Sequence, residues 1–255
     1  MRHLKARRLL TIPVAAVAIL ALGAFGGDGD KEDKRAKQQS DDKVLIDEDF
    51  VDDRNSWGGE STPELEVRTD EETETFDWFV NQDIDFFVEY YPDVLLSKAD
   101  KLRDVRVEAD VSFVAPGAPG LTCRSVDPTG EAGNQETYIF IAHPTGHVVI
   151  QKRLADGTLE KLASSADTSS EAVFDGPGAA EGFINLRGEC VGGKGGKPVT
   201  LTMSVDGEEV LEVKDDQGYA QGGAHLFSAK SAPALEASGF APFVITWDTF
   251  KLTEL

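Results

Sequence analysis

Val105-Arg106-Val107-Glu108-Ala109-Asp110-Val111 alternates without a break. Successive side chains of an extended chain point to opposite faces, so Val105, Val107, Ala109 and Val111 share one side and Arg106, Glu108 and Asp110 the other. One side suits a core and the other suits water, which is the pattern of a half-buried strand. Working outward, Glu64-Leu65-Glu66-Val67-Arg68 alternates in the same way, and similar runs recur at 138–142, 148–152, 183–186, 199–205, 210–213 and 243–252. Turn chemistry separates them. Pro144-Thr145-Gly146 lies between two runs, Asp156-Gly157 precedes another short segment, and Asp206-Gly207 between Val205 and Val210 predicts a hairpin. Stretches 115–120, 176–182 and 192–198 are rich in Gly and Pro and read as loops. No segment after residue 44 sustains a 3.6-residue apolar period, so many short strands with hairpin turns predict an all-β sandwich or jelly roll.

The chain ahead of these strands reads differently. Residues 1–8 (MRHLKARR) carry Arg2, Lys5, Arg7 and Arg8, and an uncharged, largely apolar run of 17 residues follows from Leu9 to Phe25. This is the order of an export signal, at a length bordering on a membrane-spanning helix. Residues 1–26 are therefore expected to be a signal peptide or a single-pass anchor, with the N-terminus inside and the remainder extracytoplasmic. Gly23, Ala24, Gly26 and Gly27 offer cleavage points, and no cysteine follows the run to carry a lipid. Residues 27–43 (GDGDKEDKRAKQQSDDK) hold no apolar residue except Ala36. Such a stretch buries too little surface to offset chain entropy and is expected to be a disordered charged linker. The folded domain is expected over 44–255.

Composition bounds the partners. The chain of 255 residues is 40% hydrophobic with 14 Phe, enough for a substantial core, and carries a formal charge of −21. That surface repels phosphate backbones, which argues against nucleic acid, and anionic headgroups, which leaves only the N-terminal segment for membrane attachment. Between Glu60 and Asp93 stand twelve acidic residues against the single basic Arg68. Most of that excess reads as a solvated face; calcium is the sharper alternative, since it favours clustered carboxylates, although no EF-hand loop is present. Cys123 and Cys190 are the only cysteines. An even pair on the exported side predicts a disulfide, closing a loop of about 67 residues.

Several short motifs resemble the secreted concanavalin A-like (laminin G-like) jelly rolls of bacteria. They are Asp49-Phe50-x-Asp52 with Trp57, Asp104-Val105-Arg106-Val107-Glu108-Ala109, Gly120-Leu121-x-Cys123-Arg124, Leu186-Arg187-x-Glu189-Cys190, Leu201 with Val205-Asp206-Gly207, and Val244 with Asp248-x-Phe250-x-Leu252. The likeness covers nearly all of residues 45–255. It implies a two-sheet antiparallel jelly-roll sandwich whose first and last strands pair. Members include lectin-like binding modules, sensor ectodomains and glycoside hydrolases. The acidic, aromatic-rich stretch between Glu60 and Lys98 departs from the pattern.

Candidate chemistry gathers in that stretch. Glycoside hydrolysis needs two carboxyl groups roughly 5–9 Å apart, which in glucanases of this fold come from a Glu-x-Asp-x-(x)-Glu strand. The nearest match is Asp83-Ile84-Asp85-Phe86-Phe87-Val88-Glu89, where Asp83, Asp85 and Glu89 share a face and Ile84, Phe86 and Val88 form an apolar one. Asp stands in the first position and the spacing to the last acid needs a bulge. Trp78, Tyr90 and Tyr91 are the expected exposed aromatics for stacking on a glycan, whereas Trp57 and Trp247 are expected in the core. His143-Pro144-Thr145-Gly146-His147 has a zinc-like spacing only on a helix, and Pro and Gly make it a turn. Ser164-Ser165 and Ser169-Ser170 lack a glycine elbow, and Gly192-Gly193-Lys194-Gly195-Gly196-Lys197 lacks the order of a phosphate loop. Together these readings predict a non-enzymatic, lectin-like module outside the cytoplasm that binds a polysaccharide or cell-envelope component. A hydrolase using Asp83, Asp85 or Glu89, and a protein-binding sensory or structural ectodomain, are the alternatives.

Overall fold

The computed structural model describes residues 42–51, 57, 59–81, 88–90, 101–126, 135–175, 182–230 and 242–255. Every described strand belongs to one compact unit, Asp41–Leu255. The expected signal or anchor segment and the linker up to residue 41 lie outside the described residues, and among the described residues no helix is long and apolar enough to cross a membrane.

The opening heptapeptide forms the centre of strand β6 (Val105–Phe113), after β1 (Lys43–Glu48), β2 (Glu60–Ser61), β3 (Leu65–Asp70), β4 (Thr75–Val80) and β5 (Val88–Tyr90). Burial alternates along all nine residues of β6, with Val105, Val107, Ala109 and Val111 fully enclosed. There follow β7 (Gly117–Val126), β8 (Glu136–Ala142), β9 (Val148–Arg153), β10 (Leu159–Ser164), β11 (Ile184–Gly192), β12 (Val199–Val205), β13 (Glu208–Asp215), β14 (Gly223–Lys230), β15 (Phe243–Trp247) and β16 (Phe250–Glu254). All pairings among them are antiparallel. One sheet runs β13-β12-β11-β6-β15-β4-β3-β2, with β16 beside β6 and β1 beside β16; the second runs β10-β9-β8-β7-β14-β5. The first and last strands pair, Lys43 opposite Glu254 and Glu48 opposite Phe250.

Local chemistry accounts for the details. Asp206 and Gly207 both take positive φ (50° and 82°), the conformation a two-residue hairpin needs, and join β12 to β13. The single run expected over 243–252 is broken at Asp248-Thr249. Trp247 opposes Val111 and Lys251 opposes Glu108, so four steps along this segment match three along β6. That bulge is held by Asp110, whose amide donates to Thr249 Oγ1 (3.1 Å) and whose carboxylate accepts from the same hydroxyl (2.8 Å). Two expectations are corrected. The 115–120 loop ends early, because Gly117-Ala118-Pro119-Gly120 opens β7, a strand buried on both faces that admits small residues. Strand 183–186 extends to Gly192, and Gly188 within it makes room for the other sheet: a Cβ there would lie 2.5 Å from the Phe140 ring.

The core lies between the sheets. Cys123 of β7 and Cys190 of β11 form the expected disulfide across it, both buried, with Cα atoms 6.5 Å apart. At one end an aromatic assembly joins Phe50, Trp57, Phe76, Trp78, Trp247 and Phe250 through edge and stacked contacts of 4.9–6.1 Å between centroids. The buried Glu48 carboxylate accepts from the Trp57 indole (3.2 Å) and the Phe50 amide (3.1 Å), which explains the opening Asp-Phe…Trp motif as packing.

Candidate functional site

The expected site residues separate. Trp78 is a correction: it is fully buried in the core, not exposed for a ligand. In β4 the even positions Phe76, Trp78 and Val80 face the opposing sheet, and Phe79 is the aromatic on the outer face, stacked under Arg68 with 4.8 Å from guanidinium carbon to ring centroid. Trp57 and Trp247 lie in the core as expected. Asp83, Asp85 and Tyr91 lie outside the described residues. Glu89 and Tyr90 occupy β5, at the edge of the six-stranded sheet, opposite Phe227 and Leu226 of β14.

The outer face of that six-stranded sheet is the candidate surface to which Glu89 is adjacent. Register and burial place Thr122 of β7, Thr137, Ile139 and Ile141 of β8, Gln151 and Arg153 of β9, and His225 and Phe227 of β14 there, turned away from the main core. Thr122 Oγ1 donates to the His225 carbonyl (3.3 Å) and accepts from the His225 amide (3.1 Å), and Thr137 Oγ1 donates to the Cys123 carbonyl (3.2 Å). The Arg153 guanidinium lies 5.7 Å from the centroid of Phe227. Thr122, Thr137, Ile139, Arg153, His225 and Phe227 of this face are fully buried. Its positions on β7, β8, β9 and β14 carry hydrogen-bonding, apolar and cationic groups, and Glu89 of β5 stands opposite Phe227 at the edge of the same face.

Two polar networks that sequence reading missed organise one end of the sandwich. Arg124, fully buried and held at φ 54°, donates from Nε to the Arg103 carbonyl (2.9 Å), from Nη1 to the Tyr219 carbonyl (2.6 Å) and from Nη2 to the Gly192 carbonyl (3.0 Å). Asp104 stands 3.5 Å from Nη2 and accepts the Gly192 amide at 2.7 Å. Burial lowers the pKa of Arg124, against the Asp104 charge that supports it. Beside it, Asp215 accepts from Lys152 Nζ (2.7 Å), the Tyr138 hydroxyl (2.8 Å) and the Gln217 amide (2.9 Å). Burial pushes the Asp215 carboxyl up, but these donors, Lys152 foremost, outweigh it and hold the carboxyl below its usual range. Burial, then the bond to Asp215, raises the Tyr138 phenol, so it stays a neutral donor. The signal for Arg124 was present in Gly120-Leu121-x-Cys123-Arg124, but its three carbonyl partners come from segments far apart in sequence.

His143 and His147 bracket a turn, as expected: the His143 amide donates to the His147 carbonyl (2.8 Å) and Gly146 takes φ 81°. His147 Nδ1 meets Ser165 Oγ at 3.3 Å, and burial, then the His147 charge, lowers the pKa of His143. Among the described residues no group of three or more His, Cys, Asp or Glu is placed to hold a metal.

Two antiparallel sheets face to face, strand β1 paired to β16 and a filled core between them are the concanavalin A-like jelly roll, and this chain has that fold. The Bacillus licheniformis β-glucanase superposes with a TM-score of 0.52 at 10% identity, covering 82% of this chain and 97% of that one. A Bacteroides ovatus mixed-linkage glucan GH16 protein, solved with a G4G4G3G product, gives 0.52 at 11%, covering 82% and 100%. A prokaryotic β-1,3-1,4-glucanase (lichenase) derived from a mouse hindgut metagenome gives 0.50 at 13%, covering 82% and 99%. No protein-family model and no curated protein matches the sequence.

Proposed function

We propose that the chain works outside the cytoplasmic membrane as a non-enzymatic module that binds a polysaccharide or cell-envelope component. The observation that carries the reading is the fold: the sandwich superposes on β-glucanases over nearly their whole length, and on a mixed-linkage glucan GH16 protein solved with a G4G4G3G product. The export-signal order of residues 1–26 supports the location, whether as a cleaved signal or a retained anchor. Binding is preferred to hydrolysis because hydrolysis needs paired carboxyls and the Asp83-Ile84-Asp85-Phe86-Phe87-Val88-Glu89 run departs from the Glu-x-Asp-x-(x)-Glu order. The test follows thermal unfolding of the full chain against cell-wall and plant polysaccharides, with and without calcium, while assaying released reducing ends. A melting shift without reducing ends supports the module; silence in both channels overturns it and moves the weight to a protein partner. A shift that requires calcium would support calcium as a cofactor of binding.

Hydrolysis is the second reading, favoured by Glu89 on β5 at the edge of the same sheet. It expects reducing ends that disappear when Asp83, Asp85 and Glu89 are all replaced by their amides; activity surviving that replacement refutes it.

A further inference from the structure

Apart from Arg153, which is fully buried, the described basic side chains fall into two groups. Arg68, Arg106, Arg124, Lys152, Lys161, Arg187 and Lys251 each lie within 4 Å of a carboxylate. Lys43, Lys101, Arg103, Lys194, Lys197 and Lys214 have no such partner, and all six stand at the end of the sandwich that Arg124 organises. Lys43 opens β1 opposite Glu254, and Glu254 in turn opposes Val105. Lys101 and Arg103 lead into β6, with the Arg103 carbonyl on Arg124. Lys194 and Lys197 lie in the glycine loop between β11 and β12, closed by the Gly193 amide on the Pro198 carbonyl (3.0 Å) and pinned by Gly192 on the same guanidinium. Lys214 opposes Thr200 near the end of β13.

The order β13-β12-β11-β6-β16-β1 therefore sets these cations in a strip across six neighbouring strand ends. Five interstrand steps of about 4.8 Å give it a length of roughly 24 Å. Neighbouring carboxylates are engaged elsewhere: Asp42 and Glu189 by Arg106, Asp104 by Arg124, and Asp215 by Lys152. Among the described residues of these six strand ends, Asp216 and Glu254 are the carboxylates without an ion-pair partner, with Glu136 and Glu160 of the other sheet nearby at Tyr219. In a chain of net charge −21, solvation would scatter such residues or pair them with the abundant acids.

We infer that this strip is a binding site for an anionic glycopolymer, its carboxylate or phosphodiester groups lying along Lys43, Arg103, Lys101, Lys194, Lys197 and Lys214. The inference deepens the proposed binding function and rests on it. A flexible polymer fits a narrow strip at physiological salt, where screening over about 8 Å hides the acidic remainder of the surface. A nucleic-acid duplex presents its charge over a broader front and meets that remainder. Arg124 is the positioning residue: it holds the loops bearing Arg103 and Lys194 at fixed separation without reaching the ligand itself, being fully buried.

The test measures binding of the full chain to polygalacturonate, to poly(glycerol phosphate), to neutral dextran and laminarin, and to single-stranded DNA. Either of the first two should bind more tightly than the neutral glycans, and which one binds assigns carboxylate or phosphodiester. Raising salt from about 0.1 to about 1 M, which shortens the screening length from about 10 to about 3 Å, should weaken that binding at least about tenfold. K194E/K197E, on an exposed loop, should do the same with an unchanged melting temperature, and K101E/K214E provides a second reversal on other elements. K161Q, away from the strip, should bind as the parent does. Equal binding of neutral and anionic glycans, or full binding by both reversals, overturns the strip while leaving the polysaccharide reading intact. Binding to no glycan at all overturns both. DNA bound as tightly as the anionic glycan overturns the glycan assignment.

Discussion

Replacing Arg124 by Met tests whether one buried cation fixes the loops at the end of the sandwich. Methionine approximates the length and apolar volume of the arginine stem but removes all five N–H donors, so packing loss is small and the lost hydrogen bonds dominate. Three backbone carbonyls, those of Arg103, Gly192 and Tyr219, lose donors at 2.6–3.0 Å. A buried acceptor left without a partner costs about 1–3 kcal/mol. Asp104 also loses its cation, although at 3.5 Å and partly exposed it adds little. Loop relaxation toward water returns part of the sum, so the expected loss is about 3–5 kcal/mol, in line with removing one partner from a buried ionic group. For a domain of this size that lowers Tm by roughly 6–20 °C. Urea titration of the parent, R124M and R124K checks it, with R124K intermediate because an ammonium carries three donors without the planar fork. If R124M lies within about 1 kcal/mol of the parent, the carbonyls are satisfied without the guanidinium and the reasoning fails.

Two further outcomes follow from the core. C123S/C190S removes the cross-sheet bridge, whose sequence separation of 67 corresponds to about 4 kcal/mol of unfolded-state entropy; denaturant midpoints compared with and without reductant should shift for the parent and not for the variant. Asp215 has its carboxyl held below the unfolded value by Lys152, Gln217 and Tyr138, so its contribution is present at neutral pH and is lost as pH falls below about 4 through the native value. D215N should therefore be less stable than the parent at pH 7, with the gap narrowing as pH falls below about 4 in a series of urea melts. A gap that stays constant across that range would show that the Asp215 charge is not what the network uses.

The opening heptapeptide, the Asp206-Gly207 hairpin and the cysteine pair were legible because each rests on a local or countable rule: period two, positive φ at a tight turn, and two thiols in one chain. The pairing of first and last strands came from the resemblance and is present as β1 with β16. Strand β14, Gly223-Ala224-His225-Leu226-Phe227-Ser228-Ala229-Lys230, had no readable pattern, because it sits between β7 and β5 with both faces covered and so does not alternate polar with apolar. The same central position hid the start of β7.

Sequence by itself determined that the chain is built from half-buried strands, since alternation records which side of an extended backbone water touches. Only tertiary structure decided which aromatics of Thr75–Val80 face inward: Trp78 and Phe79 differ by one step of the pleat, and the choice is made by the register Ile245 opposite Trp78 and Val244 opposite Phe79. Tertiary structure likewise decided the fate of the charges. Arg124 and Lys197 are equally basic in the sequence, but folding brings three carbonyls from residues 103, 192 and 219 around one and leaves the other at the surface. Hydrogen-bond partners separated by 21 to 95 residues are set by how strand ends meet, and no local pattern encodes that.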